Sequence, residues 1–314
     1  MKIVVLNDSF LNKEHQSKLA ALGDLTFYES TTTTAEAIER VHGADIVIGD
    51  QYLVEFNKTF FESVQPKLLA LNSTSYAWVD ASTAKERGVH ITNTPGFSSR
   101  AVAELAIGLM LDVVRKISYG ERKFRANPWE PDPSSKADSE FIGYEVENKT
   151  VGIIGLGNIG CEMARLSQGL GMKTIAWNRS PKTLTGVEMV DLNDLVQRSD
   201  VVMIAQTYSE ESNNTLNAEL IGKLKPNAAL VSIGKIELLD REALHQALKE
   251  NKIRGAALDL SQAKAGDPLL DLENIVLTPH LGAWTEEAFY KNLPDMIVSN
   301  VEAFVKGSPV NVVV

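Results

Sequence analysis

The stretch Lys149-Thr-Val-Gly-Ile-Ile-Gly-Leu-Gly-Asn-Ile-Gly160 constrains the fold more than any other part of the chain. A short β-branched run ends in a glycine-rich turn and passes directly into a helix-like segment, which is the outline of a dinucleotide site. Gly155 permits the tight turn, Gly157 lets the backbone approach a pyrophosphate, and Gly160 lets the helix pack closely on the strand. The first N–H groups of that helix, from Asn158 and Ile159 onward, then aim at the anion. A second strand, Lys173-Thr-Ile-Ala-Trp177, ends in Asn178-Arg179-Ser180, where the ribose-reading residue of such a fold belongs. An acidic side chain there would accept from the ribose 2′-OH and repel a 2′-phosphate. A neutral amide followed by a cation and a hydroxyl instead predicts NADP in preference to NAD. The alternative for Arg179 is an incidental arginine on a surface turn.

The remainder of the chain is read against that site. Its 314 residues suggest about two domains, and 44% hydrophobic with 23% charged residues is an ordinary globular composition. A formal net charge of −10 argues against nucleic acid or an anionic membrane as partner, so an anionic ligand has to be held by local groups. The single cysteine, Cys161, excludes an internal disulfide and a multi-cysteine metal centre, and reads best as a small packing residue. No apolar run reaches membrane-spanning length, and Met1-Lys-Ile-Val-Val-Leu6 is too short for a signal segment. A cytoplasmic protein without metal is expected.

From the N-terminus, strand-like runs at Lys2 to Leu6, Leu25 to Tyr28, Asp45 to Gly49, Leu68 to Leu71 and His90 to Thr92 alternate with helix-like segments. This pattern predicts a parallel sheet wrapped by helices, without a glycine fingerprint of its own. Thr94-Pro-Gly96 breaks it, and Ser98 to Ser118 carries apolar residues at helical spacing over some five turns. Arg125 to Glu145, with three prolines, reads as a loop. The βα alternation then resumes and gives six strands by count. Thr285 to Lys306 is helical in pattern, kinked or broken near Pro294.

Five stretches, in this order and spacing, resemble the D-isomer-specific 2-hydroxyacid dehydrogenase family over essentially the whole chain. They are Asn93 to Glu104, the glycine turn, Leu230 to Leu244, Arg254-Gly-Ala-Ala-Leu-Asp259 and Leu277-Thr-Pro-His-Leu-Gly282. The resemblance implies two doubly wound parallel-sheet α/β domains: a flavodoxin-like substrate domain (residues 1–99 and 285–314) into which a Rossmann domain (100–284) is inserted. It also implies hydride transfer between a nicotinamide and C2 of a 2-oxo acid, in a homodimer built on the long helix at Ser98 to Ser118. A histidine serves as general acid, a cation holds the carboxylate and a carboxylate usually keeps the histidine protonated. His280 falls on the histidine position and Asp259 on the aspartate that holds the nicotinamide end of the cofactor, with Ile233 also at the cofactor. A loop histidine and a plain strand-end aspartate are the simpler readings of these two residues.

Three departures stand out. Ser232-Ile-Gly-Lys235 places lysine where the family has arginine, keeping the charge without the planar fork. Lys264 stands where the glutamate partner of the histidine belongs, leaving Asp267 or Glu237 as possible substitutes. Asn72-Ser-Thr-Ser-Tyr-Ala-Trp-Val-Asp80 replaces the glycine-containing substrate loop. There Thr74 and Ser75 are the candidate N–H donors, and Tyr76 and Trp78 reshape the pocket. These departures also allow a catalytically weak or inactive relative that serves as a dinucleotide-binding sensor or partner-binding protein.

Overall fold

The computed structural model describes residues 1–130, 132, 138–260 and 265–314. They form two compact units, Met1–Ser98 with Trp284–Val314, and Ser99–Ala283.

In the first unit, β1 (Lys2–Val5), β2 (Asp24–Phe27), β3 (Ile46–Gly49), β4 (Leu68–Leu71) and β5 (His90–Thr92) form an all-parallel sheet in the order β2-β1-β3-β4-β5. Both faces are apolar because successive side chains alternate between them. Val4, Leu6, Val47, Leu69 and Leu71 face one core, together with Ala37 of α2 (Thr34–Arg40), Phe60 and Phe61 of α3 (Lys58–Ser63) and Ala84 of α4 (Ala81–Glu86). Ile3, Val5, Ile46, Ile48 and Leu68 face the other, against Leu19 of α1 (Lys13–Ala20) and Ile297, Val298 and Val301 of the C-terminal helix α11 (Leu293–Val305). Each such fully buried side chain contributes roughly 1.5–3 kcal/mol. Asn12, Thr33, Asn57 and Asp80 cap the four short helices by accepting backbone N–H bonds, which fixes where each begins. The last residues return to β5: Thr92 bridges Val312 antiparallel, and buried Asn300 donates to the Asn93 carbonyl at 2.8 Å while accepting from Asn311.

The second unit holds β6 (Thr150–Ile154), β7 (Lys173–Trp177), β8 (Val187–Met189), β9 (Val201–Ile204), β10 (Ala229–Ser232), β11 (Gly255–Asp259) and β12 (Ile275–Thr278). They form a parallel sheet in the order β12-β11-β10-β9-β6-β7-β8. The doubly wound topology expected from sequence is present in both units, but this sheet has seven strands where six were counted. The seventh, β8, is a three-residue edge strand whose half-exposed and exposed residues carry little hydrophobic signal. Helices α5 (Ser99–Arg115) and α7 (Asn158–Gly169) cover one face, and α8 (Leu192–Arg198), α9 (Ala218–Ile221) and α10 (Arg241–Lys249) the other.

Two further expectations are corrected. The long helix stops at Arg115, not Ser118: Lys116 is left-handed at φ 57°, and the Asp112 carboxylate accepts from the Ser118 N–H at 2.7 Å and from its hydroxyl. Asp112 thereby caps a new helix, α6 (Ile117–Ala126), inside what read partly as loop. That helix buries no residue in the main core; Phe124 packs on Trp129, which stacks on Phe141 at 5.0 Å, inside a short 3₁₀ turn. Before α11 the chain makes a π-helical turn over Ala288–Asn292. Pro294, lacking an N–H, lies just beyond it, so the wide turn takes up the missing bond. No helix of the described residues is long and apolar enough to cross a membrane.

Candidate active site

The strand order of the second unit reverses between β6 and β9, and the glycine turn lies at the carboxyl end of that switch point. Gly155 has φ 97°, and a Cβ there would lie 2.8 Å from the Gln206 backbone, so only glycine allows the turn to sit against the β9 loop. A Cβ on Gly160 would be 2.0 Å from the Gly155 carbonyl oxygen, which sets how closely α7 approaches β6. Gly157 faces open space and caps α7 without a side-chain bond, leaving the N–H groups of Asn158, Ile159 and Gly160 for an anion. This backbone cradle fits a dinucleotide pyrophosphate. Gly160→Ala is expected to destabilise the unit by about 1–3 kcal/mol and to weaken dinucleotide binding; thermal melts with and without cofactor check it.

Beyond β7, Asn178 accepts from the Leu156 N–H at 2.9 Å and donates to the Ser180 carbonyl at 2.8 Å, so it braces the glycine turn. Lys182 donates its Nζ to the carbonyl of the same Leu156. Sequence reading stopped at Ser180 and missed it; the signal was a second cation four residues after Asn178, in a turn set by Pro181. Arg179 is paired with Glu211 at 3.1 Å on the surface, an interaction worth only about 0–1 kcal/mol and easily exchanged.

The catalytic candidates gather at the carboxyl ends of β10, β11 and β12. Asp259 is 3% exposed, and its two oxygens accept from the Thr278 hydroxyl at 2.6 Å, the Leu281 N–H at 2.8 Å and the Gly282 N–H at 2.9 Å. In this structure the carboxylate is therefore a clamp on the loop that carries His280. Gly282 is fitted to that clamp, because a Cβ there would lie 3.2 Å from both Asp259 and Val102. His280 itself is exposed and left-handed at φ 56°, with its N–H bonded to the Thr278 carbonyl at 3.0 Å. A non-glycine residue held in that region is strained, a common property of functional loops.

Lys235 is exposed at the end of β10, its Nζ 5.0 Å from the centre of the Tyr208 ring. Burial, with Glu210 and Glu237 nearby, raises the Tyr208 pKa. Tyr208 was not singled out from sequence, since nothing local distinguishes a tyrosine after a strand. Ile233 donates its N–H to the Ile204 carbonyl at 3.3 Å. Of the two possible glutamate substitutes, Asp267 is already bonded by Arg241 and by the Leu269 N–H at 3.0 Å, and Glu237 is exposed. Lys264 lies outside the described residues. Among the described residues no cluster of histidine, cysteine or carboxylate side chains is arranged to hold a metal.

In the first unit, the loop after β4 is braced from outside. Gln51 donates to Ser73 Oγ at 3.1 Å and to the Ser75 carbonyl, and accepts from the Trp78 N–H. Thr74 donates its hydroxyl to the Thr94 carbonyl at 3.0 Å, and Asn93 donates to the Thr74 carbonyl at 2.6 Å. The backbone N–H groups of Thr74, Ser75 and Tyr76 have no acceptor among the described residues. Three successive free donors at a solvent-accessible turn suit a carboxylate.

The sequence profile of the D-isomer specific 2-hydroxyacid dehydrogenase NAD binding domain matches residues 107–282. The chain is 32% identical over 326 residues to hydroxypyruvate reductase of Blautia hydrogenotrophica, covering 100% of this chain and 99% of the relative. It is 34% identical to glyoxylate reductase of Thermococcus litoralis, over 79% of this chain and 76% of that one. Among solved structures, an acyclic imino acid reductase in complex with NADPH and D-Arg superposes with a TM-score of 0.86 at 29% identity, each chain covered in full.

Proposed function

The chain belongs to the D-isomer specific 2-hydroxyacid dehydrogenases, an NAD(P)-dependent oxidoreductase family acting on 2-oxo and 2-hydroxy acids, and we propose that this member prefers NADPH and uses His280 as its proton donor. When bound at the glycine turn, a nicotinamide dinucleotide would supply or take up the hydride at C2. His280 gives its proton to the carbonyl oxygen during reduction and takes it back in the reverse direction. Lys235 holds the substrate carboxylate as a point charge and polarises the carbonyl, steadied by the face of Tyr208. The N–H groups of Thr74, Ser75 and Tyr76 are the carboxylate donors that the substrate-binding unit offers, and Asp259 keeps the His280 loop in register. The observation that carries the reading is the carboxylate of Asp259, buried and triply bonded to the residues flanking His280. The same fixing of the loop weighs against a sensor that has lost catalysis.

The NADPH preference rests on Arg179, Ser180 and Lys182, which give the ribose end two cations and a hydroxyl, with the Glu211 carboxylate held by Arg179. Lys182, now on the Leu156 carbonyl, and Arg179, now on Glu211, would hold the 2′-phosphate. Arg179→Ala and Lys182→Ala should each weaken NADPH about tenfold or more while changing NADH little, since a charge-assisted bond is worth about 1.5–3 kcal/mol. Titrations of both cofactors check this; equal or tighter NADH binding by the unaltered protein overturns it. A cytoplasmic homodimer completes the proposal. Ile107 and Leu111, four residues apart on α5, leave a partly exposed apolar face for the second copy, which light scattering tests.

A further inference from the structure

The substrate loop leads along two routes into one aromatic cluster of the same unit. By the first, Asn72, the first residue after β4, donates its amide to Ser9 Oγ at 3.0 Å, and Ser9 precedes Phe10. By the second, Thr74 is bonded to Thr94 and Asn93, in the strand-end segment that continues through Pro95 and Gly96 to Phe97. Both Phe10 and Phe97 then pack on Phe289, with ring centres 4.9 and 5.9 Å away, and Trp284 packs on the same ring at 5.3 Å. Tyr290 meets Phe10 edge-on at 5.7 Å.

This cluster is not simply core. Phe10, Trp284 and Tyr290 remain 39%, 68% and 62% exposed. Ser9 and Phe10 are both left-handed, at φ 47° and 59°, and a bulky aromatic residue is rarely held there. Phe10 gains no fully buried position from this strain, and its ring is held on the loop after β1, which the Ser9–Asn72 bond joins to the loop after β4. The rings of the cluster present apolar faces, with the Tyr290 hydroxyl and the Trp284 indole N–H as their polar atoms, so they suit an apolar side chain better than a phosphate.

We infer that Phe10, Phe289, Tyr290 and Trp284 receive the side chain of the substrate, and that the preferred substrate is a 2-oxo acid bearing an aromatic or large apolar group at C3 instead of a two- or three-carbon acid. This rests on the functional reading above and narrows it. The reaction is unchanged: NADPH is oxidised, C2 gains the hydride and its oxygen gains the proton. An aromatic side chain pairs edge-to-face with exposed rings of this kind, and a full apolar side chain is worth at least the 10–200-fold that one methylene gives.

The test measures kcat/KM of the full chain with NADPH for phenylpyruvate, indole-3-pyruvate, glyoxylate and hydroxypyruvate, with Phe10→Ala and Tyr290→Ala alongside. The expected result is a preference for the aromatic acids over glyoxylate of about tenfold or more. Each substitution should lower that ratio about tenfold, and phenylpyruvate should quench the fluorescence of Trp284, identified by Trp284→Phe. Tyr290 is exposed, so its variant is expected to fold. Glyoxylate reduced as well as phenylpyruvate, or a ratio that both variants leave unchanged, overturns the substrate assignment while leaving the enzyme reading intact. Absence of turnover with all four acids despite NADPH binding overturns both.

Discussion

Replacing His280 by alanine is expected to lower kcat/KM for carbonyl reduction by about 10²–10⁴-fold with NADPH affinity retained, the usual loss for a general acid. The ring is solvent-exposed and its backbone is fixed by Thr278 and, through the flanking residues, by Asp259. Truncation therefore removes a proton donor without opening a cavity, and the melting temperature should change little. The measurement is steady-state kinetics on a turned-over 2-oxo acid, paired with cofactor titration. Undiminished turnover in His280→Ala removes this residue from the mechanism and leaves Tyr208, whose ring faces the Lys235 ammonium, as a donor to examine.

The second large effect is expected at Asp259. Asp259→Ala leaves three donors, the Thr278 hydroxyl and the N–H groups of Leu281 and Gly282, without their acceptor in a buried place. Bonds to a charged acceptor are worth about 1.5–3 kcal/mol each, but they are not additive, so a loss of roughly 3–5 kcal/mol in stability is expected. Because the clamp sets where His280 stands, kcat should also fall by about 10²-fold, the order that a displacement of about 1 Å produces. Asp259→Asn separates the two contributions. Its single acceptor oxygen keeps part of the clamp, so it should recover stability more fully than turnover. Denaturant unfolding and kcat on the same preparations check this. A variant that melts normally and turns over normally would show that Asp259 is only a strand-end residue.

Much of this was written locally in the chain. The glycine turn was legible because each glycine answers a separate geometric demand, and the structure meets Gly155 with the Gln206 backbone and Gly160 with the Gly155 carbonyl. The strands were legible because both sheet faces are buried, which gives continuous apolar runs such as Val201–Ile204 and Leu68–Leu71. What escaped depended on partners distant in sequence or on weak hydrophobic signal. The edge strand β8 carries few buried side chains. The break at Lys116 needs Asp112 to reach forward to Ser118, and α6 is held by aromatic rings instead of a core stripe. Asp259 is visible in the sequence only as a strand-end aspartate; its three donors come from a loop some 20 residues later, and no sequence period announces them. Lys182 and Tyr208 were missed because their roles arise only where a turn folds back over Leu156 or beside Lys235.

The central claim is that this chain reduces 2-oxo acids with NADPH through His280. The most direct measurement mixes the purified protein with NADPH and a 2-oxo acid panel, following NADPH consumption and the configuration of the product. Substrate-dependent oxidation of NADPH, faster than of NADH, is expected, with one D-2-hydroxy acid formed per NADPH consumed and the rate lost in His280→Ala. Tight NADPH binding with no consumption on any acid of the panel, or turnover that survives in His280→Ala, would contradict it.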